Sequence, residues 1–202
     1  MTSVLLAQVT EQIKKCKKCR LARTRNNTVP GAGPNDAEIA FVGEAPGFNE
    51  DRQGKPFVGK AGRLLDKLFA SIWLQREDVW IGNVIKCRPP KNRDPHVDEL
   101  RACVPYLDLQ LKELNPKLVC TLGRFATKHF LGDISISEVH GKPMRMNGYV
   151  IFPLFHPAAA LRSKGVERQL RKDFKKIPQV LNGELAVEEA NNNENEDQIS
   201  LL

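Results

Sequence analysis

Two apolar runs, Ile39-Ala40-Phe41-Val42 and Val150-Ile151-Phe152-Pro153-Leu154, stand more than 100 residues apart, and each gives way to a motif of small residues around one ionisable group. The first leads into Gly43-Glu44-Ala45-Pro46-Gly47, the second into His156-Pro157-Ala158-Ala159-Ala160. Short runs that are apolar at every position fit strands buried on both faces, as in a parallel sheet covered by helices. Residues just past the carboxyl end of such a strand point into the crevice where open α/β sheets bind ligands. Both motifs are therefore expected to face one pocket, whatever their separation in the chain.

The remaining pattern fits that frame. Val79-Trp80-Ile81-Gly82-Asn83-Val84-Ile85 and Leu118-Val119-Cys120-Thr121-Leu122 read as two further buried strands. Leu64, Leu65, Leu68, Phe69, Ile72 and Trp73 recur at helical spacing, as do Val97, Leu100, Val104, Leu107, Leu111 and Leu114. Pro105 within the second set predicts a kink or two abutting helices. Further helices are expected over 3–15, Arg124–Leu131 and 166–177, with a hairpin over Lys142–Tyr149 around Asn147-Gly148. Strands alternating with helices define an α/β fold with a largely parallel sheet. The connection 43–59 is long for a βα loop, which marks it as functional. Gly123 follows a strand and precedes a helix, but no dinucleotide-binding GxGxxG lies there.

All 31 Lys and Arg fall in the first 182 residues against 18 of the 24 acidic ones, a net charge of +13 on that part. The chain thus divides into a basic domain, 1–182, and an acidic tail, 183–202, in which the stretch from Asn191 to Asp197 is expected to be disordered. So basic a body favours a polyanionic partner, of which nucleic acid is the commonest. No apolar run approaches the ~20 residues of a membrane span, and Val4-Leu5-Leu6-Ala7 lacks the length and flanks of a secretory signal. A cytoplasmic protein without a membrane partner is expected, in a compartment where disulfides are rare.

The five cysteines are accordingly read as metal ligands or core residues. Cys16 and Cys19 form a CxxC pair, and Cys87 and Cys103 lie 16 positions apart. Four thiolates suit either zinc or an iron–sulfur cluster, and although structural zinc more often takes two tight pairs, spacing leaves both open. Lys17, Lys18, Lys86 and Arg88 flank the thiols and favour their ionised forms. Cys120, inside an apolar strand, reads as a core residue.

Together these residues resemble the family-4 uracil-DNA glycosylases, the iron–sulfur branch found in bacteria and archaea. The resemblance runs from about Cys16 to about Lys176. It rests on the Gly43–Gly47 motif with Glu50-Asp51 behind it and on Gln53-Gly54-Lys55-Pro56-Phe57-Val58-Gly59. It continues through Asn83-Val84-Ile85-Lys86-Cys87-Arg88-Pro89-Pro90 with Asn92-Arg93, and ends on His156–Leu161. It implies a three-layer α/β/α fold around a four-stranded, largely parallel sheet, and a 4Fe–4S cluster on Cys16, Cys19, Cys87 and Cys103. It also implies a monomer acting on uracil-containing DNA, single- or double-stranded, in the cytoplasm of a prokaryote with the nucleoid.

On this reading the chain is a monofunctional glycosylase that hydrolyses the N-glycosidic bond of uracil and leaves an abasic site. The base must leave the duplex before that bond can be reached, so a pocket has to receive it. The resemblance assigns Phe57 to stack on the base and Asn83 to read it, the amide offering a donor for O4 and an acceptor for N3–H. Gly43, Glu44, Ala45, Gly47 and Asn92 complete the substrate-binding set. His156 is expected to hydrogen-bond the anion that develops on O2, and Glu50 to orient or deprotonate the attacking water. Better-known glycosylases of the superfamily carry Asp where this chain has Ala45, which is why the carboxylate duty moves to Glu50.

Leu161 or Arg162 is expected to fill the gap left by the flipped base, and Arg88, Arg93, Arg162, Lys164 and Arg168 to meet phosphates. The tyrosine that bars thymine in some relatives aligns near Gly47, so thymine must be excluded by other means. His96, His129 and His140 read as surface or structural residues. The alternative is a non-catalytic iron–sulfur nucleic-acid-binding protein, which should have lost Glu50, Phe57, Asn83 and His156; all four are present. Gln198-Ile199-Ser200-Leu201-Leu202 faintly resembles the glutamine-led peptides that dock on sliding clamps, without their paired aromatics.

Overall fold

A computed structural model describes residues 4–190. Among the described residues six strands form one sheet: β1 (Ile39–Gly43), β2 (Trp80–Asn83), β3 (Leu118–Leu122), β4 (Met144–Met146), β5 (Tyr149–Leu154) and β6 (Glu188–Glu189), in the order β2-β1-β3-β5-β4-β6. β2, β1, β3 and β5 are parallel and make up the four-stranded core that was expected. The two edge strands are additional. Asn147 and Gly148 both take positive φ, 51° and 83°, the geometry of a tight hairpin turn, so β5 itself is the second arm and β4 pairs antiparallel to it. β6 then lies parallel to β4 at the sheet edge.

Alternation along the strands splits the core into two layers. Nine α-helices accompany the sheet among the described residues: α1 (Val4–Lys15), α2 (Phe48–Gln53), α3 (Lys60–Ala70), α4 (Val97–Leu114), α5 (Arg124–Leu131), α6 (Ile136–Val139), α7 (Pro157–Ala160), α8 (Lys164–Phe174) and α9 (Ile177–Leu181). Ile39, Phe41, Leu118, Cys120, Phe152 and Leu154 face Leu65, Leu68 and Phe69 of α3, Leu170 and Phe174 of α8, and Ile177 of α9. The rings of Phe41, Phe69 and Phe174 interlock there at centroid distances of 4.8–6.1 Å. Ala40, Val42, Val119 and Ile151 face the opposite layer, where Leu6, Val9 and Ile13 of α1 meet Leu107 and Leu111 of α4, beside Ala126 and Phe130 of α5. The result is the α/β/α arrangement.

Three local expectations are corrected. Pro105 does not interrupt α4, because it lies on the exposed side of the helix, where water reaches the turn that lacks its N–H. The connection 43–59 contains the short α2 rather than loop alone. The last basic helix is two helices, since Pro178 occupies the first turn of α9, where a missing N–H costs nothing. No helix among the described residues is long and apolar enough to cross a membrane. The stretch 191–197 and the clamp-like Gln198–Leu202 lie outside the described residues.

This topology positions the site. From β1 the chain passes to β2 on one side and later to β3 on the other, so the order reverses beside β1 and the crevice opens over the carboxyl ends there. Gly43, Asn83, Gly123 and His156 stand at or just beyond the ends of the four parallel strands.

Candidate active site

Over that edge lies a cavity of about 340 Å³. It brings together Glu44, Ala45, Gly47, Glu50, Phe57, Asn83, Asn92, His156 and Arg162, drawn from the carboxyl ends of β1, β2 and β5 and the stretches that follow them. Gly43, expected in the substrate-binding set, is not among the lining residues but sits against two of them: a Cβ there would stand 2.5 Å from Asn83 Oδ1 and 2.7 Å from Phe57 Cζ. Only glycine lets the amide and the ring close over the strand end. Leu161 is exposed after the last turn of α7 and is not among the lining residues.

Asn83 is 1% exposed, and its Oδ1 has no hydrogen-bond partner. Buried polar atoms nearly always find a partner, so an orphan facing a cavity is a ligand-binding signal. The Asn83 main-chain carbonyl accepts from Lys86 Nζ at 2.8 Å. Phe57 sits in the left-handed region at φ 51° and is held there from behind. Arg76 donates to the carbonyls of Pro56 and Phe57 at 2.8 and 2.6 Å and pairs with Asp66 at 2.8 Å. The Phe57 ring faces the imidazole of His156 at a centroid distance of 5.8 Å.

His156 is the N-cap of α7, and its Nδ1 accepts the Ala158 N–H at 3.0 Å. A main-chain N–H can only donate, so Nδ1 is bare and the neutral ring carries its hydrogen on Nε2. Burial, and then the charge of Arg162, push the pKa down to about 4 against a smaller opposing pull from Glu50. The ring is thus a neutral donor at physiological pH. Gly123 permits this placement: its φ is +87°, and a Cβ would stand 2.9 Å from the Cβ of His156. That contact accounts for the glycine after β3.

Both carboxylates of the Glu50-Asp51 pair are engaged, neither being a freely solvated charge. Asp51, 1% exposed, accepts the Asn26 and Asn27 main-chain N–H groups and fixes the loop before β1. Glu50 Oε1 accepts the N–H groups of Val58 and Gly59, both at 2.8 Å, while Oε2 lies toward Gly47 on the cavity wall. One oxygen of Glu50 is therefore structural and the other faces the site.

Glu44 has a different environment. Burial, and then the charge of Asp94, raise its pKa to about 7, opposed by Arg124, which pairs with Asp94. Since the folded chain binds this proton more tightly than the unfolded chain, the stabilisation is complete below about pH 4.5 and is lost as pH rises to about 7. Glu44→Gln should remove that loss. The check is the difference in melting temperature between wild type and variant across the window. A constant difference would show that Glu44 does not titrate there.

Sequence reasoning did not single out Asp94, Arg76 or Asp66. Asp94 is brought in by the loop before α4, where Arg93 grips the fully buried Glu99 through two bonds of 2.6 and 2.9 Å. That grip commits the Arg93 guanidinium, which was expected to meet phosphate, to holding the loop. Arg162, Lys164 and Arg168 remain exposed.

Below the cavity, Cys16, Cys19, Cys87 and Cys103 line one small second cavity. Arg25 donates to Cys87 Sγ at 3.1 Å and to the Cys16 carbonyl at 2.6 Å, and the Lys86 N–H reaches Cys103 Sγ at 3.2 Å. Burial raises Cys19, Cys87 and Cys103, the last to about 12, so binding a metal group here must release protons. Among the described residues no three His, Cys, Asp or Glu side chains converge as the ligands of one ion do. A cubane binds each thiolate to a different iron and needs no such convergence. Four thiols on one cavity, with N–H donors already directed at two sulfurs, fit that donor set better than zinc. Cys120 is fully buried in β3, away from them.

A profile of the uracil DNA glycosylase superfamily matches residues 30–181. A type-4 uracil-DNA glycosylase of Sulfurisphaera tokodaii is 47% identical over 185 residues, covering 87% of this chain and 84% of the relative. The enzymes of that description from Archaeoglobus fulgidus and Thermotoga maritima are 45% and 41% identical, covering 87% and 89% of this chain and 92% and 96% of the relatives.

Proposed function

Because the chain belongs to the uracil-DNA glycosylase superfamily, and within it to the type-4 enzymes, we infer that the cavity receives one uracil turned out of DNA. The protein removes uracil from DNA in repair. What supports the assignment of the cavity is above all the buried Asn83 Oδ1 that lacks a partner. Uracil N3–H satisfies it while the amide N–H meets O4; cytosine offers the opposite pattern and leaves both unpaired. Phe57, locked by Arg76, supplies the face against which the base lies.

In the reaction the C1′–N1 bond breaks and both electrons leave with the base, so negative charge gathers on O2 and positive charge on the sugar. The Nε2–H of His156 donates to O2 as that charge develops, an interaction stronger in the transition state than in the ground state. Glu50, fixed through Oε1, holds water at C1′ with Oε2, balances the sugar's charge and takes the proton the water loses. Asn92, with Gly47 and Ala45, closes the wall, and Arg162 and Leu161 stand where the duplex would meet it. Cys16, Cys19, Cys87 and Cys103 would hold the 4Fe–4S cluster, whose bound chemistry is metal–thiolate bonding that joins three segments; the hydrolysis itself transfers no electron.

The test is an oligonucleotide carrying a single uracil, scored for alkali-labile sites beside cytosine and thymine controls. Cleavage at uracil alone is expected. Asn83→Asp should lower uracil release by about 100-fold and open a low activity on cytosine, whose N4 amino group the carboxylate accepts. Unchanged uracil release without cytosine release would remove Asn83 from base reading.

A further inference from the structure

Phe48, the first residue of α2, is 50% exposed and belongs to neither core layer. Two guanidiniums attend its ring. Arg52, one turn further along α2, lies 5.7 Å from the ring centroid, and Arg88, from the connection after β2, lies 5.2 Å away. Arg88 also donates through Nε to Asn92 Oδ1 at 2.7 Å, and Asn92 lines the cavity. On its own segment Phe48 stands between Gly47 and Glu50, two more lining residues. An exposed aromatic ring thus sits next to the cavity's lining residues with two guanidiniums within 6 Å of its centroid, and the hydrolysis uses none of the three.

We propose that Phe48, Arg52 and Arg88 form a stacking subsite for the nucleobase adjacent to the flipped uracil. The inference rests on the uracil-DNA reading of the cavity. When uracil swings out, its neighbour loses a stacking partner, and a ring at the rim replaces it. Stacking of this kind accepts any base, since every base has a π face. The guanidiniums hold the ring through cation–π contact and keep N–H groups free for the phosphates on either side of that base. Charge selects the occupant: a ring with two arginines beside it on a basic body suits a polyanion with flat bases, whereas an apolar protein partner would have to bury both cations.

The experiment uses single-stranded oligonucleotides with 2′-fluoro-deoxyuridine, which resists cleavage, and with the neighbouring base either present or replaced by an abasic spacer on the 5′ or 3′ side. Phe48→Ala should weaken binding of the fully based strand by about 10-fold, and Phe48→Trp should retain it. Removing the neighbour on one side should cost the wild type a similar factor and cost Phe48→Ala nothing more. A 2-aminopurine at that neighbour should be quenched by the wild type and not by Phe48→Ala. Unchanged binding by Phe48→Ala, or losses that simply add on both sides, would overturn the subsite. So would a parallel loss of inhibition by free uracil, because Phe48 would then shape the cavity rather than hold a neighbour. Wild-type cleavage of the unmodified strand is measured alongside: its absence defeats the uracil reading, whereas intact cleavage with additive losses defeats only the subsite.

Discussion

His156→Ala is expected to lower the rate of uracil release by about 10²–10³-fold while leaving the affinity for a non-cleavable uracil strand within a few-fold. The imidazole is a neutral donor, its Nδ1 occupied by the Ala158 N–H and its pKa down to about 4. On the proposed mechanism its hydrogen bond strengthens only as charge reaches O2, so deletion should fall on turnover rather than on binding. The same deletion removes the N-cap of α7, worth about 1 kcal/mol, and that cost must be separated from catalysis. His156→Asn keeps a cap acceptor at this position, so it should melt close to wild type while remaining slow. If both variants turn over at the wild-type rate, His156 has no part in bond cleavage.

Cys103→Ser should produce the largest change in the state of the protein. Cys103 is 8% exposed in the second turn of α4, and burial above all holds the free thiol protonated against the pull of Lys86, with a pKa of about 12. A protonated thiol and a hydroxyl are nearly isosteric. If the thiol had no ligand to hold, the change would cost about 1 kcal/mol. If it is one of four ligands, visible absorbance and bound iron should fall together and the melting temperature should drop by about 10 °C or more, as a structural metal group holds folding energy. Cys120→Ser is the control, because it disturbs an equally buried thiol and should leave the absorbance intact. A colourless wild type that carries zinc would overturn the cluster.

The parallel core was legible in the sequence because strands buried on both faces are apolar without interruption. Leu118–Leu122 and Arg124–Leu131 fall residue for residue where the pattern predicts them. α2 was not legible: Phe-Asn-Glu-Asp-Arg-Gln has no apolar stripe, and the helix exists because its flanks are pinned, Asp51 to the Asn26-Asn27 loop and Glu50 to the Val58 and Gly59 N–H groups. The cavity residues at strand ends could be found because topology puts strand ends together. Arg76 could not, since its partners are main-chain carbonyls, which leave no trace in a sequence. The raised pKa of Glu44 depends first on its burial and then on Asp94, fifty positions away, and the placing of Asp94 depends on Arg93 gripping Glu99. Phe48 escaped notice for the opposite reason: a single aromatic ahead of a charged run carries no periodicity.

The two halves of the thiol cavity belong to different parts of the chain. Cys16 and Cys19 follow α1, ahead of the first strand, whereas Cys87 and Cys103 belong to the connection after β2 and to α4. A group held by all four closes a loop of about seventy residues that contains β1, α2, α3 and β2. By the polymer estimate used for disulfides, closing a loop of that length removes about 4 kcal/mol of conformational freedom from the unfolded chain. That gain arises in the disordered state and owes nothing to how well α1 packs. With such a group bound, α1 would be fastened to the middle of the chain, and the fold could not come apart through α1 without first letting go at its centre.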